Sequence, residues 1–264
     1  MSSPTQIVLP QRRVEQCMGT VFSIDVRAPG VDAGAVDAAI AWLHWVDETF
    51  STYRDSSQIS RLSRGDLELA ACAPEVVEVL NRCRELETET AGYFSAYAGG
   101  RLDPSGLVKG WAIQRASEIL RGYGSTNHCV NGGGDVQCAG EASPGAPWRI
   151  GIAHPLQLTE FAGIAAGHDI AVATSGSAER GRHIFDPHRR TSPEALASVT
   201  IVGRELATTD AYATAAFAMG DGAPEWVSSL RGYSALIVYP DGSTWTSQAQ
   251  AENVTPVVVG RPIR

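Results

Sequence analysis

The chain lacks any run of basic residues, any stretch of about 18 apolar residues and any pair of cysteines at CxxC spacing. Each absence excludes something. A net charge of −8 with no basic run argues against a nucleic-acid groove and against a polybasic membrane patch. Without a long apolar stretch, no membrane insertion is expected. The five cysteines, Cys17, Cys72, Cys83, Cys129 and Cys138, are odd in number and irregularly spaced. That speaks against a zinc site or a disulfide framework and for small buried thiols in a reducing compartment. The opening MSSPTQIVLPQRR has neither the apolar core of a signal peptide nor a lipid-attachment cysteine after one, so the expected location is cytoplasmic. The P-loop spacing GxxxxGK(S/T) is missing, and no GxGxxG follows a first strand, which disfavours a nicotinamide-dependent oxidoreductase.

What remains is an ordinary globular composition, 44% hydrophobic and 19% charged over 264 residues, enough to bury a substantial core. No fixed-period repeat and no linker appears, so residues 1–264 read as one domain, with two intimate lobes as the other arrangement. Strand and helix patterns are interspersed. Val21, Ser23 and Asp25 alternate with Phe22, Ile24 and Val26 as in a half-buried strand. Helical stripes run from Val36 to about Phe50, from Pro74 to before Gly92 and through the segment containing Lys109, which Gly122 ends. Short strands are expected at His128–Val130, Val136–Ala139, within 147–155, at Ile170–Ala173 and at Ser198–Val202. A terminal hairpin turns at Asp241-Gly242.

The stretch Ala207 to Gly220, ATTDAYATAAFAMG, reads as a helix with Thr208 or Thr209 as cap and Asp210 in its first turn. Asp210 and Thr214 are four apart and share a face. A carboxylate and a hydroxyl at a positive helix end suit a hard cation carrying phosphates; a capped helix with buried alanines is the other reading. The turn Asp103-Pro104-Ser105-Gly106 feeds a helix start where an anion can be cradled. Asn131-Gly132-Gly133-Gly134-Asp135 is either a plain hairpin turn or a place where backbone touches a ligand. Tyr53 sits in a polar Ser- and Arg-rich segment that is a binding loop or a solvated helix–loop.

Taken in order, Met18-Gly19-Thr20, NGGGD, the TSG strand end, HIFDP followed by SVTIV, and the DAYAT helix start resemble the ApbE-type FAD:protein FMN transferases over nearly the whole chain. The resemblance implies an α+β, ApbE-like (T-fold-like) fold of mixed sheets and packed helices with FAD in a central cleft. It implies a divalent ion, usually Mg²⁺, on the pyrophosphate. FMN would pass from FAD to a Thr or Ser hydroxyl of an acceptor flavoprotein, releasing AMP. By the same resemblance Asp210 and Thr214 fall on metal-ligand positions, and Gly106 on one that offers a carbonyl. Met18, Tyr53, Phe94, Ser95, Ala96, Asp103 and Lys109 fall at flavin-nucleotide positions. Gly132, Gly133, Asp135, Ser175 and Phe185 lie against the cofactor. His183 falls on the histidine that takes part in transfer, with Asp186 to orient it or meet the acceptor.

The chain departs from the family pattern at Ser95 and Gln114, where an Asp is common, at Ala213, where some members carry another acid, and in the segments after Gly176 and after HIFDP. These departures bear on acceptor specificity. Some family members instead hydrolyse FAD, so a metal-dependent FAD pyrophosphatase giving FMN and AMP is one alternative; the departures at Ser95 and Gln114 motivate another, a non-catalytic FAD-binding protein.

Overall fold

The computed structural model describes residues 11–32, 34–157, 159–176 and 184–247. Strands β1 (Gln11–Cys17) and β2 (Thr20–Val26) form a hairpin around Met18 and Gly19, both at positive φ (49° and 69°). Phe22, Ile24 and Val26 point inward, as their alternation requires. Four helices follow before the chain returns to the sheet: α1 (Gly34–Phe50), α2 (Gln58–Arg64), α3 (Pro74–Glu89) and α4 (Ser105–Gly122). Strands β3 (His128–Gly132) and β4 (Asp135–Ala139) make a tight hairpin at Gly133-Gly134, whose φ values of 58° and 88° fit the two-residue turn that matches strand twist.

Next come β5 (Trp148–Ala153), β6 (Phe161–Gly167), β7 (Ala171–Gly176), β8 (Ser198–Gly203), α5 (Leu206–Met219), α6 (Ala223–Ser229), β9 (Ser234–Val238) and β10 (Thr244–Thr246). The main sheet has the order β1-β2-β3-β4-β7-β8-β9-β10, and every described strand pair is antiparallel. The pair β5–β6 forms a separate two-stranded sheet inserted between β4 and β7. The fold is thus α+β, a sheet with helices packed on it. One core lies between the sheet and its helices. A second, including Val136, Cys138, Trp148, Ile152 and Leu236, lies where the inserted hairpin covers the sheet.

Helix α5 is enclosed on all sides, with 12 of its 14 residues buried, as its apolar, small-residue composition allows. It starts earlier than its threonines suggest. Thr208 and Thr209 lie inside it, and Asp210 stands beyond the first turn. The first amides are satisfied from a distance: Gln137 Oε1 accepts from Leu206 N–H (3.0 Å) and Gln114 Oε1 from Ala207 N–H (3.1 Å). Two glutamines from other elements therefore replace the local cap. Gln114, a departure from the family pattern, is one of them.

His128 ties β3 to α4. It is fully buried, with Nε2 2.7 Å from Ser117 Oγ and Nδ1 3.0 Å from Ser125 Oγ. Burial, reinforced by the positive charge of Arg121, pushes its pKa down to about 4. The unfolded chain binds this proton more readily, so stability contributed by the neutral imidazole is complete above the unfolded value and is lost as pH falls toward 4. Stability is expected to drop by about 3 kcal/mol between pH 6.5 and pH 4 through this group alone. Urea unfolding across that range should be visibly flatter in His128→Gln; an unchanged slope would rule the imidazole out.

Candidate functional site

The site is built where α4 crosses α5. Gly106 and Gly110 lie one turn apart on α4, and Asp210 and Thr214 one turn apart on α5. A Cβ added to Gly110 would stand 2.6 Å from the Leu206 carbonyl oxygen and 2.7 Å from Asp210 Cβ. One added to Gly106 would stand 3.2 Å from the Phe94 ring and 3.6 Å from the Thr214 methyl group. The glycines therefore set how close the helices come. At that distance the Gly110 N–H donates to Asp210 Oδ2 (3.0 Å), and the residues expected to ligate a metal meet although about a hundred positions separate them in sequence.

Lys109, next to Gly110, turns its ammonium toward the sheet. Its Nζ pairs with Asp135 Oδ2 and lies 3.6 Å from Asp210 Oδ2. Asp135 is held in turn by the Thr174 N–H, which donates to Oδ1 (3.1 Å). Both carboxylates are buried, so the ammonium offsets a charge that would be costly alone. Ser175 Oγ, at the end of β7, lies 3.4 Å from Thr214 Oγ1. A cavity of about 520 Å³ opens above these groups, within the range of small-molecule and cofactor sites. Its floor is the α4 start (Ser105, Gly106, Lys109) with Asp210 and Thr214; Gly133, Gly134, Thr174 and Ser175 line one side. The inserted hairpin supplies another wall from Ile150 to Pro155, and Phe94, Ser95, Asp103, Ile184 and Phe185 complete the lining described here.

Not every residue expected here lines the cavity. Tyr53 is 95% exposed and outside the lining. Met18 sits in the β1–β2 turn against the helix-side core. Ala96 is buried, and its carbonyl accepts from Asp103 N–H (2.7 Å). Gly132 owes its missing side chain to Phe22 and Ile113, whose atoms would lie 2.4 and 2.9 Å from an added Cβ. Asp186 is buried, and its Oδ1 accepts from the backbone N–H groups of His188 (2.8 Å) and Arg189 (3.1 Å), which ties its carboxylate to its own turn. His183 lies outside the described residues. Sequence reasoning missed the wall made by Ile150 to Pro155 and the cavity-facing Arg101. The segment PWRIGIAHP is legible as a strand, but nothing local tells which way it folds.

Among the described residues no group of three or more His, Cys, Asp or Glu side chains is placed to hold a metal ion. A cation here would have to draw on mixed oxygen donors: the Asp210 carboxylate, the Thr214 hydroxyl and the Gly106 carbonyl. Oxygen-only donors suit a hard divalent ion and not zinc, so the residues present fit the expected group. No helix among the described residues is long and apolar enough to cross a membrane.

Comparison with known proteins gives a consistent set of likenesses. The model of the ApbE family matches residues 18–100 and 95–237. A FAD:protein FMN transferase of Vibrio cholerae serotype O1 is 32% identical over 130 residues, 46% of this chain and 39% of that protein. A FAD:protein FMN transferase of Rhodobacter capsulatus is 27% identical over 173 residues, 61% of this chain and 32% of that protein. The chain thus spans about two fifths or less of the length of these curated relatives. Among solved structures, the flavin transferase ApbE from Vibrio cholerae superposes with a TM-score of 0.79 at 22% identity, covering 92% of this chain and 98% of that one. An ApbE protein from Thermotoga maritima gives 0.83 at 21% identity, covering 91% and 97%. At these identities the structural likeness speaks for the fold.

Proposed function

The chain belongs to the ApbE family, and from that premise we propose that it transfers FMN from FAD to a Thr or Ser hydroxyl of an acceptor flavoprotein and releases AMP. The observation that carries the reading is the meeting of Gly106, Asp210 and Thr214 with Lys109 at the floor of one cavity. The names of the curated relatives point the same way.

The α4 start faces the cavity through Ser105 and Gly106, and the free amides and dipole of a helix N-terminus favour a pyrophosphate there. Lys109 is within reach of the same space and would pair with a phosphate oxygen, while Asp135 limits where its ammonium can go. Asp210, Thr214 and the Gly106 carbonyl would hold Mg²⁺. When bound, that ion would neutralise charge gathering on the leaving phosphate. The acceptor oxygen attacks the FMN-side phosphorus, the bond to the bridging oxygen breaks, and AMP leaves with that oxygen. The hydroxyl proton passes to His183, because imidazole is the side-chain type best suited to accept a proton near neutrality. Asp186 shapes the turn behind Phe185 and leaves proton transfer to the histidine.

The test is incubation of the protein with FAD and Mg²⁺, with and without a polypeptide carrying a candidate acceptor Thr. AMP formation that needs both Mg²⁺ and acceptor, with flavin staying on the acceptor after denaturation, is the expected result. AMP with free FMN in the absence of acceptor would replace transfer with hydrolysis. FAD bound and unchanged across a panel of acceptors would mean a flavin-binding protein.

A further inference from the structure

The β3–β4 hairpin carries two cysteines that the cofactor cavity does not use. Cys129 and Cys138 are directly opposite each other in the register. The two-residue turn at Gly133-Gly134 fixes what kind of pair they are. The pair that closes such a turn, Gly132 and Asp135, exchanges backbone hydrogen bonds, and bonded and non-bonded pairs alternate from there. Counting outward, Asn131–Val136 is non-bonded, Val130–Gln137 bonded and Cys129–Cys138 non-bonded. An independent observation agrees: the Cys138 N–H points away from β3 and donates to the Ile170 carbonyl at 2.8 Å. In non-bonded pairs the Cα atoms approach to about 4.5 Å and the side chains stand on one face, closest together. That is inside the Cα range a disulfide spans, about 4.4–6.8 Å. Both thiols are free, with Cys138 wholly buried and Cys129 partly exposed.

We propose that Cys129 and Cys138 form a redox-active dithiol that a low-molecular-weight disulfide oxidises to a cross-strand disulfide. The partly exposed Cys129 is the entry point. Its thiolate attacks one sulfur of the small disulfide, the small S–S bond breaks, and one small thiol leaves with a proton. Cys138, pressed against it, then gives up its proton, and its thiolate attacks the Cys129 sulfur; the second small thiol leaves. Two protein thiols are oxidised, one small disulfide is reduced to two thiols, and the atoms balance. The order of attack follows from the surroundings: the hydrogen bond with Cys129, together with burial, pushes the Cys138 thiol well up, so it resolves and does not initiate. The product would fasten the hairpin whose tip, Gly133-Gly134, lines the cavity.

The test needs no enzyme assay and stands apart from the transferase reading. The folded protein is equilibrated with 2-hydroxyethyl disulfide, alkylated, and analysed by thiol titration and peptide mass. No Lys or Arg lies between the two cysteines, so trypsin leaves both in the peptide spanning 122–149. That peptide should lose about 2 Da, and the protein should show two fewer titratable thiols than its five cysteines. Cys138→Ser should stop at a stable mixed adduct on Cys129. A wild-type peptide that stays fully alkylatable, carries only adducts, or is linked to another cysteine would overturn the proposal, whatever the serine variant does.

Discussion

Asp210→Asn is expected to lower Mg²⁺-dependent AMP release from FAD by about a thousandfold while leaving the protein folded. The substitution keeps the shape of the side chain and an oxygen that can accept the Gly110 N–H, which donates to Asp210 at 3.0 Å. What it removes is the negative charge, the only carboxylate in the oxygen set formed with Thr214 and the Gly106 carbonyl. Lys109 would still be paired with Asp135, so the buried ammonium is not stranded. The comparison is steady-state AMP release at saturating Mg²⁺, with a thermal melt of each protein beside it. An Asn variant that melts normally and keeps its full rate would remove Asp210 from the reaction. Normal FAD binding with a collapsed rate would locate the loss in the chemical step.

The second large effect concerns Gly110, which no chemistry recommends. Gly110→Ala should destabilise the protein by about 2 kcal/mol and cut transfer by about a hundredfold. Ordinarily an Ala in mid-helix is better than a Gly by up to about 1 kcal/mol. Here the methyl group would meet the Leu206 carbonyl at 2.6 Å and Asp210 Cβ at 2.7 Å, both backbone-fixed atoms that cannot swing aside. The helices must part, and Asp210 then moves relative to Gly106 and Lys109. Gly106→Ala is the milder partner, because its nearest obstacle is the Phe94 ring at 3.2 Å. Chemical denaturation and AMP release on the two variants should rank them in that order; a Gly110→Ala protein as stable and active as the parent would show that the crossing is softer than its geometry implies.

The parts of this site that were legible in the sequence are those fixed by local periodicity. Asp210 and Thr214 share a face because four residues make about one turn of α-helix, and no tertiary fact is needed to see it. The turn at Gly133-Gly134 and the strands around it follow from similarly short-range rules. What the sequence concealed depends on distant partners. Thr208 and Thr209 look like helix caps by type, but Gln114 and Gln137 reach the first amides of α5 from other elements, and the helix starts three or four residues earlier than its threonines imply. Gly110 looks like an ordinary weak point of a helix until α5 is laid against it. Tyr53 has the chemistry to stack on a ring, but it projects into solvent away from the cavity. Cysteine spacing argued for small buried thiols and against a disulfide framework, and only the hairpin register brings Cys129 opposite Cys138.

The hydrogen bond from Gly110 to Asp210 spans a hundred residues, and this orders events during synthesis. A nascent chain that has emerged only as far as β4 already contains α4, yet the small-residue face that α5 will cover has nothing to bury it. The floor of the cavity cannot exist until α5 has left the ribosome. At translation speeds of about 5–20 residues per second, that face waits for several seconds. The closeness that Gly106 and Gly110 permit in the finished protein is, earlier, an exposed groove that a chaperone or a neighbouring chain can find first.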